Sequence, residues 1–242
     1  MEAETTEGTL LGGRVRYTQP ANGFRSGIEP VLLAAAVPAR PAEWVLEGGS
    51  GAGAALLCLG CRVPDARGVG IERDSGLASL ARANAAANGF SSMFFVAADV
   101  LAMPVRRAFD HACANPPYHA DNGTTSPNAA RASAKRGREG MIADWAASLG
   151  AALRDGGTLT LILPPARLAE ALAGCGRAGC GGVRLLPLWR RVGQPARLML
   201  LHAVRGGRAP MALLAGMALH RTDGRLTPEF EACLREGAPL TL

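Results

Sequence analysis

From Trp44 onward, short apolar runs alternate with longer segments whose apolar residues recur at helical spacing. WVLE (Trp44–Glu47) reads as a buried strand, Ala54–Val63 as a helix, Gly68–Glu72 as a strand and Asp74–Asn88 as a helix closed by Gly89. Met93–Ala97 and Phe109–Ala114 continue as strands, Met141–Leu153 as a helix and Thr158–Leu163 as a fifth strand. Strands separated by helices predict an α/β fold, a Rossmann-like, mostly parallel sheet with helices on both faces. A helix over Ala166–Cys175 then leads to two apolar runs, Val183–Trp189 and Leu198–Arg205, joined by the turn-forming RRVGQPA. That pair predicts an antiparallel C-terminal hairpin forming the edge of the sheet.

The flanks are less regular. Thr9–Arg25 mixes charged, glycine and apolar residues and reads as a short hairpin or an extended arm. Glu29-Pro30 followed by VLLAAAV reads as a helix with proline in its first turn, ended by the Pro38–Pro41 loop. Past Ala209 come a short apolar run, a turn at Asp223-Gly224 and a last helix starting near Thr227-Pro228. One domain is expected: an arm and helix over residues 1–40, a core over 41–205 and an extension over 206–242.

Composition narrows the setting. At 48% hydrophobic residues the chain is not of the disordered class. No run approaches the roughly 20 apolar residues of a membrane span, and Met1–Glu7 is acidic, so a cytoplasmic location without a membrane is expected. The net charge of +6 suits an anionic partner such as nucleic acid. Cys58 and Cys61 form a lone C-x-x-C without a second pair at zinc spacing, so the six cysteines read as buried thiols and no metal is expected.

Candidate chemistry begins after the first core strand, at Glu47-Gly48-Gly49-Ser50-Gly51-Ala52-Gly53. Glycines permit a tight turn and let a ligand approach the main chain, and the following helix N-terminus favours a carboxylate such as that of a methionine moiety. Glu72 ends the second strand, where its carboxylate can meet ribose hydroxyls, and Asp99 follows the third, where it can accept from an adenine amino group. Gly49-x-Gly51-x-x-Ala54 also matches a dinucleotide fingerprint, which keeps a nicotinamide-binding oxidoreductase, or a catalytically silent cofactor-binding module, in view.

The second motif, Asn115-Pro116-Pro117-Tyr118, follows the fourth strand and so reaches the same sheet edge. Two prolines fix φ and remove two N–H groups, leaving a rigid arch with free carbonyls. The Asn115 side-chain oxygen and the Pro116 carbonyl can each accept one hydrogen of an exocyclic amine, and Tyr118 can stack on a base. His119 suits a structural or stacking role better than that of a base.

On these residues the chain resembles the class I methyltransferases with an N-P-P-Y motif, and more narrowly the bacterial tRNA adenine-N6 methyltransferases that act on valine tRNA beside its anticodon. GFRSGIEPVLLAAAVP, VLEGGSGAG, GVGIERD, ANPPYH and LLPLWRRVGQPARLMLL carry the likeness, which spans most of the chain. His119 stands where the best-known members have an aromatic. The resemblance implies S-adenosylmethionine as cofactor, held by Glu47, Gly49, Ser50, Gly51, Glu72, Arg73, Asp99, Val100 and Asn115. It makes Asn115, Pro116, Pro117 and Tyr118 the catalytic set and an RNA, tRNA first, the partner. Arg131, Lys135, Arg136 and Arg138, in the basic loop after the motif, can track a phosphate backbone. The alternative is a protein glutamine methyltransferase of the release-factor type, whose amide nitrogen presents the same geometry. Those enzymes usually carry a separate helical domain ahead of the core, whereas here about forty residues precede the first core strand, which favours RNA.

Overall fold

The computed structural model describes residues 4–22, 26–117 and 140–242. It opens with an antiparallel hairpin, β1 (Thr5–Leu10) and β2 (Val15–Pro20), paired from Thr5↔Pro20 to Leu10↔Val15. The hairpin therefore starts four residues earlier than the sequence pattern indicated. Its outer strand, TTEGTL, buries almost nothing, so no apolar alternation marked it.

Helix α1 (Glu29–Ala36) carries Pro30 in its first turn, and every residue from Pro30 to Ala36 is buried. Truncating Leu32 or Leu33, both fully enclosed, is expected to cost about 2–5 kcal/mol. The helix's last carbonyls are not left bare: the Arg62 guanidinium donates to those of Ala34 and Val37.

The central sheet then builds through β3 (Trp44–Gly48), α2 (Ala54–Arg62), β4 (Arg67–Glu72), α3 (Ser75–Ala87), β5 (Met93–Ala97) and β6 (Phe109–Ala114). After residue 140 come α4 (Met141–Ala152), β7 (Leu153–Leu163), α5 (Leu168–Arg177), β8 (Cys180–Trp189) and β9 (Leu198–Arg205). Two short strands, β10 (Ala212–Leu213) and β11 (Met217–Ala218), and helix α6 (Pro228–Glu236) complete it. The strand order is β10-β8-β9-β7-β6-β3-β4-β5, with β11 also on β8. Strands β3 to β7 are mutually parallel, and β9 runs antiparallel between β7 and β8.

Three sequence expectations are corrected here. Leu153 starts β7 instead of ending the preceding helix, and β7 runs five residues longer than expected toward its N-terminus, because Gly156 and Gly157 interrupt the apolar pattern without ending the strand. Strand β8 likewise starts at Cys180, ahead of the Val183 where the apolar run becomes visible, with an irregular register between Gly181 and Arg184. The β8–β9 pair is antiparallel as expected but does not form the edge: β10 and β11 pair parallel with β8 outside it, too short to leave a periodic signal.

Period-2 alternation sorts the strands between two cores. Val45, Cys113, Ile162, Leu186 and Leu200 face α1, α2, the hairpin and α6. Leu46, Ala112, Ala114, Leu161 and Leu201 face α4 and α5. All six cysteines are free thiols, five of them buried. No helix among the described residues is long and apolar enough to cross a membrane.

One consequence of the strand order matters most for function. After β3 the chain lays β4 and β5 on one side and then crosses to place β6 on the other. The carboxyl ends of β3 and β6 therefore flank the point where the winding reverses, which is where open α/β sheets bind ligands.

Candidate active site

Gly48 pairs with Ala114, so Gly49 and Asn115 leave adjacent strand ends, about 4.8 Å apart by strand spacing. The two motifs are brought together by register.

The glycine turn is built from the main chain. Gly49 N and Ser50 N both donate to the Ile71 carbonyl, at 2.8 and 3.1 Å, and Gly53 N donates to Ser50 O at 2.8 Å. Gly49, Gly51 and Gly53 have φ of 66°, 54° and 93°, a region closed in practice to other residues. At Gly49 space is limiting too, since an added Cβ would lie 2.6 Å from the Trp145 ring on α4. At Gly51 a Cβ would meet none of the described residues within 4 Å, so among them that side of the turn is open.

The three acids lie at the ends of adjacent strands, and of them Glu72 bonds the turn itself. Glu47 is buried, its Oε2 accepting from Leu56 N at 3.3 Å on α2. Burial, with Glu72 nearby, pushes its pKa up to about 8. Glu72 reaches back to the turn: Oε2 accepts from Gly51 N at 2.9 Å and Oε1 from Asp74 N at 2.9 Å. Asp99 is exposed past β5, and its Oδ1 accepts from Leu101 N at 2.8 Å. Val100 is buried beside Gly48, with its carbonyl held by the Ser148 hydroxyl. Arg73 is exposed at the mouth of the same edge.

Asn115 Oδ1 is buried and has no hydrogen-bond partner among the described residues, and the same holds for Ser50 Oγ. A buried acceptor without a partner costs about 1–3 kcal/mol, so Asn115 Oδ1, beside the glycine turn, is placed to take an N–H from a ligand, whereas Ser50 Oγ lies under the turn, 2.7 Å from where a Gly70 Cβ would be. Pro116 is buried and Pro117 exposed, so the arch passes from core to surface within two residues. Tyr118, His119, Arg131, Lys135, Arg136 and Arg138 lie outside the described residues.

Sequence reasoning missed two supports. Tyr17, on the N-terminal hairpin, is buried near Glu47 and shares a 2.8 Å hydrogen bond with Ser26; burial keeps its hydroxyl protonated, with a pKa of about 12. The hairpin itself is docked by two asparagines one helical turn apart, Asn84 on α3 and Asn88 just past its end. Asn84 exchanges hydrogen bonds with both backbone groups of Thr18, and Asn88 does the same with Arg16, so the two side chains imitate a neighbouring strand. Asn84 also donates to Ala52 O at 3.0 Å, tying the hairpin to the glycine turn. The i, i+4 spacing of the two asparagines was visible, but their partners, some seventy positions away, were not. Trp145 over Gly49 gave no sequence signal beyond its place on a helix.

The buried histidines lie elsewhere. His111, near the start of β6 and away from the carboxyl edge, bonds Glu43 at 2.9 Å and Thr158 at 2.8 Å. His202, in the middle of β9, is kept neutral by burial, with a pKa of about 4.

These residues fit S-adenosylmethionine: a glycine turn at a helix start, acids at three adjacent strand ends, and a buried acceptor, Asn115 Oδ1, without a partner among the described residues. Residues 29–163 match the family described as Methyltransferase small domain. The chain is 31% identical over 208 residues, 86% of its own length and 87% of the relative's, to the tRNA1(Val) (adenine(37)-N6)-methyltransferase of Aeromonas hydrophila. A protein of the same name from Porphyromonas gingivalis is 32% identical over 65% of each chain. Among solved structures, a predicted O-methyltransferase, protein Atu636 from Agrobacterium tumefaciens, superposes with a TM-score of 0.75 at 26% identity, over 88% of this chain and 99% of that one. With family, fold and site in agreement, the chain belongs to the methyltransferase small-domain family and is an S-adenosylmethionine-dependent methyltransferase.

Proposed function

We propose that the chain methylates the N6 amino group of an adenine in RNA, and that the RNA is a tRNA. The observation that carries this reading is Asn115 Oδ1, buried and without a partner among the described residues, at the strand end next to the glycine turn. A hydrogen-bond acceptor so placed suits an acceptor group with N–H to give. Two relatives named as tRNA adenine-N6 methyltransferases support it, as does the net charge of +6.

In this reading Gly49, Ser50, Gly51 and the start of α2 hold the methionyl end of the cofactor, Glu72 the ribose, and Asp99 and Val100 the adenine. Glu47 underlies the methionyl end and Arg73 flanks the mouth. Bound there, the cofactor supplies a methyl group on positively charged sulfur. Asn115 Oδ1 would accept one hydrogen of the substrate amine and the Pro116 carbonyl the other, which would direct the nitrogen lone pair to the methyl group and add electron density on nitrogen as the N–C bond forms and the methyl–sulfur bond breaks. The role is positioning and electrostatics, with the surplus proton passing to water. Tyr118 stacks on the base, and Arg131, Lys135, Arg136 and Arg138 neutralise phosphates beyond it.

The test is transfer of labelled methyl from S-adenosylmethionine to total bacterial RNA, with a release factor offered in parallel. Label in methylated adenosine upholds the proposal. Label in the release factor and none in RNA replaces it with glutamine methylation.

A further inference from the structure

The chain's C-terminal extension is fastened to the tip of the β8–β9 hairpin. Leu219 N donates to Trp189 O at 2.7 Å, and His220 N to Arg190 O at 3.2 Å. Arg221 N donates to Arg225 O at 2.8 Å across a turn in which Gly224 has φ 85°. The Arg191 guanidinium lies over that turn, with its Nη2 3.9 Å from where a Gly224 Cβ would be. Main-chain bonds between two separate segments thus hold Arg190, Arg191, Arg221 and Arg225 side by side, with Arg197 at the foot of β9. All five are exposed.

Little offsets this charge. Asp223 is the only acid between Trp189 and Pro228, and it lies 3.9 Å from Arg221. Among the described residues Arg190, Arg191, Arg197 and Arg225 form no ion pair. Cations held together by a rigid backbone repel one another until a polyanion arrives, and the extended side chains match phosphate oxygens.

The location ties the cluster to the active site. Strands β7 and β8 both run antiparallel to β9, so the C-terminal tip of β8 lies at the same sheet edge as Gly49 and Asn115. From β6 across β7 and β9 to β8 is three strand spacings, roughly 14 Å, and Arg190 lies four residues, about 13 Å, beyond Leu186, the residue level with Asn115, so the cluster sits about 20 Å from the motif. We infer that this arginine cluster grips the phosphate backbone of the RNA substrate at that distance from the nucleotide held at Asn115. The inference rests on the RNA reading above and adds a binding surface on the C-terminal extension, distinct from the loop that follows the N-P-P-Y motif.

The test is a triple variant, Arg190→Ala, Arg191→Ala and Arg225→Ala, whose tRNA affinity is followed by fluorescence anisotropy across a salt series. S-adenosylmethionine affinity serves as the check that it is folded. Affinity for tRNA should fall about tenfold or more, and the slope of log K against log salt should flatten by about two to three, while cofactor affinity holds. If the triple variant does not fold, the single variants Arg190→Ala and Arg225→Ala should each flatten the slope by about one. A folded variant with unchanged affinity and slope overturns the inference, as does a wild-type protein that does not bind tRNA. Methyl transfer is scored separately. Binding through the cluster without adenine methylation would discard the adenine reading and keep the surface, and adenine methylation with cluster-independent binding would do the reverse.

Discussion

Glu72 Oε2 lies 2.9 Å from the backbone nitrogen of Gly51, so the acid that ends the second core strand ties down the glycine turn that ends the first. One carboxylate bonds the turn through one oxygen and Asp74 N through the other. Glu72→Ala should therefore weaken cofactor binding about tenfold or more and lower stability by roughly 1–2 kcal/mol through loss of the bonds to Gly51 and Asp74. Titration calorimetry and urea unfolding measure the two effects. Intact cofactor affinity in a destabilised variant would leave Glu72 a purely structural role.

For Asn115, function and stability should move in opposite directions. Its Oδ1 is buried without a partner among the described residues, so Asn115→Ala removes an unsatisfied acceptor and should leave Tm unchanged or raised. Methyl transfer should fall by about 100-fold or more, because the side chain acts on the acceptor amine. Cofactor affinity should stay near wild type. A lowered Tm with a proportionate loss of activity would place Asn115 among the structural residues.

Glu47 sets a pH dependence whose sign follows from burial. With a folded pKa of about 8, the native chain keeps this proton where the unfolded chain has released it. Stability tied to the group is full below the ordinary carboxylate pKa and is lost as pH rises to about 8. Glu47→Gln abolishes that loss, so the variant's stability relative to wild type should increase from about pH 5 to about pH 8, by on the order of a few kcal/mol. Denaturant unfolding at both pH values decides it, and a pH-independent difference would contradict the assignment.

Gly49 is constrained twice, by a φ of 66° and by the Trp145 ring 2.6 Å from an added Cβ. Gly49→Ala should abolish measurable cofactor binding. Adding Trp145→Ala should restore part of it by making room, though not all, because the backbone strain of about 1 kcal/mol or more persists. Full tolerance of the single substitution in a binding titration would show that the turn is less tightly built.

Much of the fold was legible because its apolar runs are long: β3 to β7 and the helices between them each bury a continuous stripe that shows at period 2 or 3.6. The exceptions share a cause. Strand β1 buries little, β10 and β11 have two residues each, and the start of β7 is masked by glycines, so none leaves a pattern. At the site, the glycine turn could be found because positive φ at Gly49 and Gly51 demands glycine there, and Glu72 because it ends the next strand. Tyr17, Asn84 and Trp145 could not, since each acts through a contact with a distant part of the chain that any aromatic or amide might have made.

The measurement that bears most directly on the central claim uses an unmodified valine tRNA transcript, labelled S-adenosylmethionine and nucleoside mass spectrometry after digestion. The account predicts N6-methyladenosine as the labelled nucleoside. Label in another nucleoside, or no transfer to RNA by a protein that binds the cofactor, would contradict it.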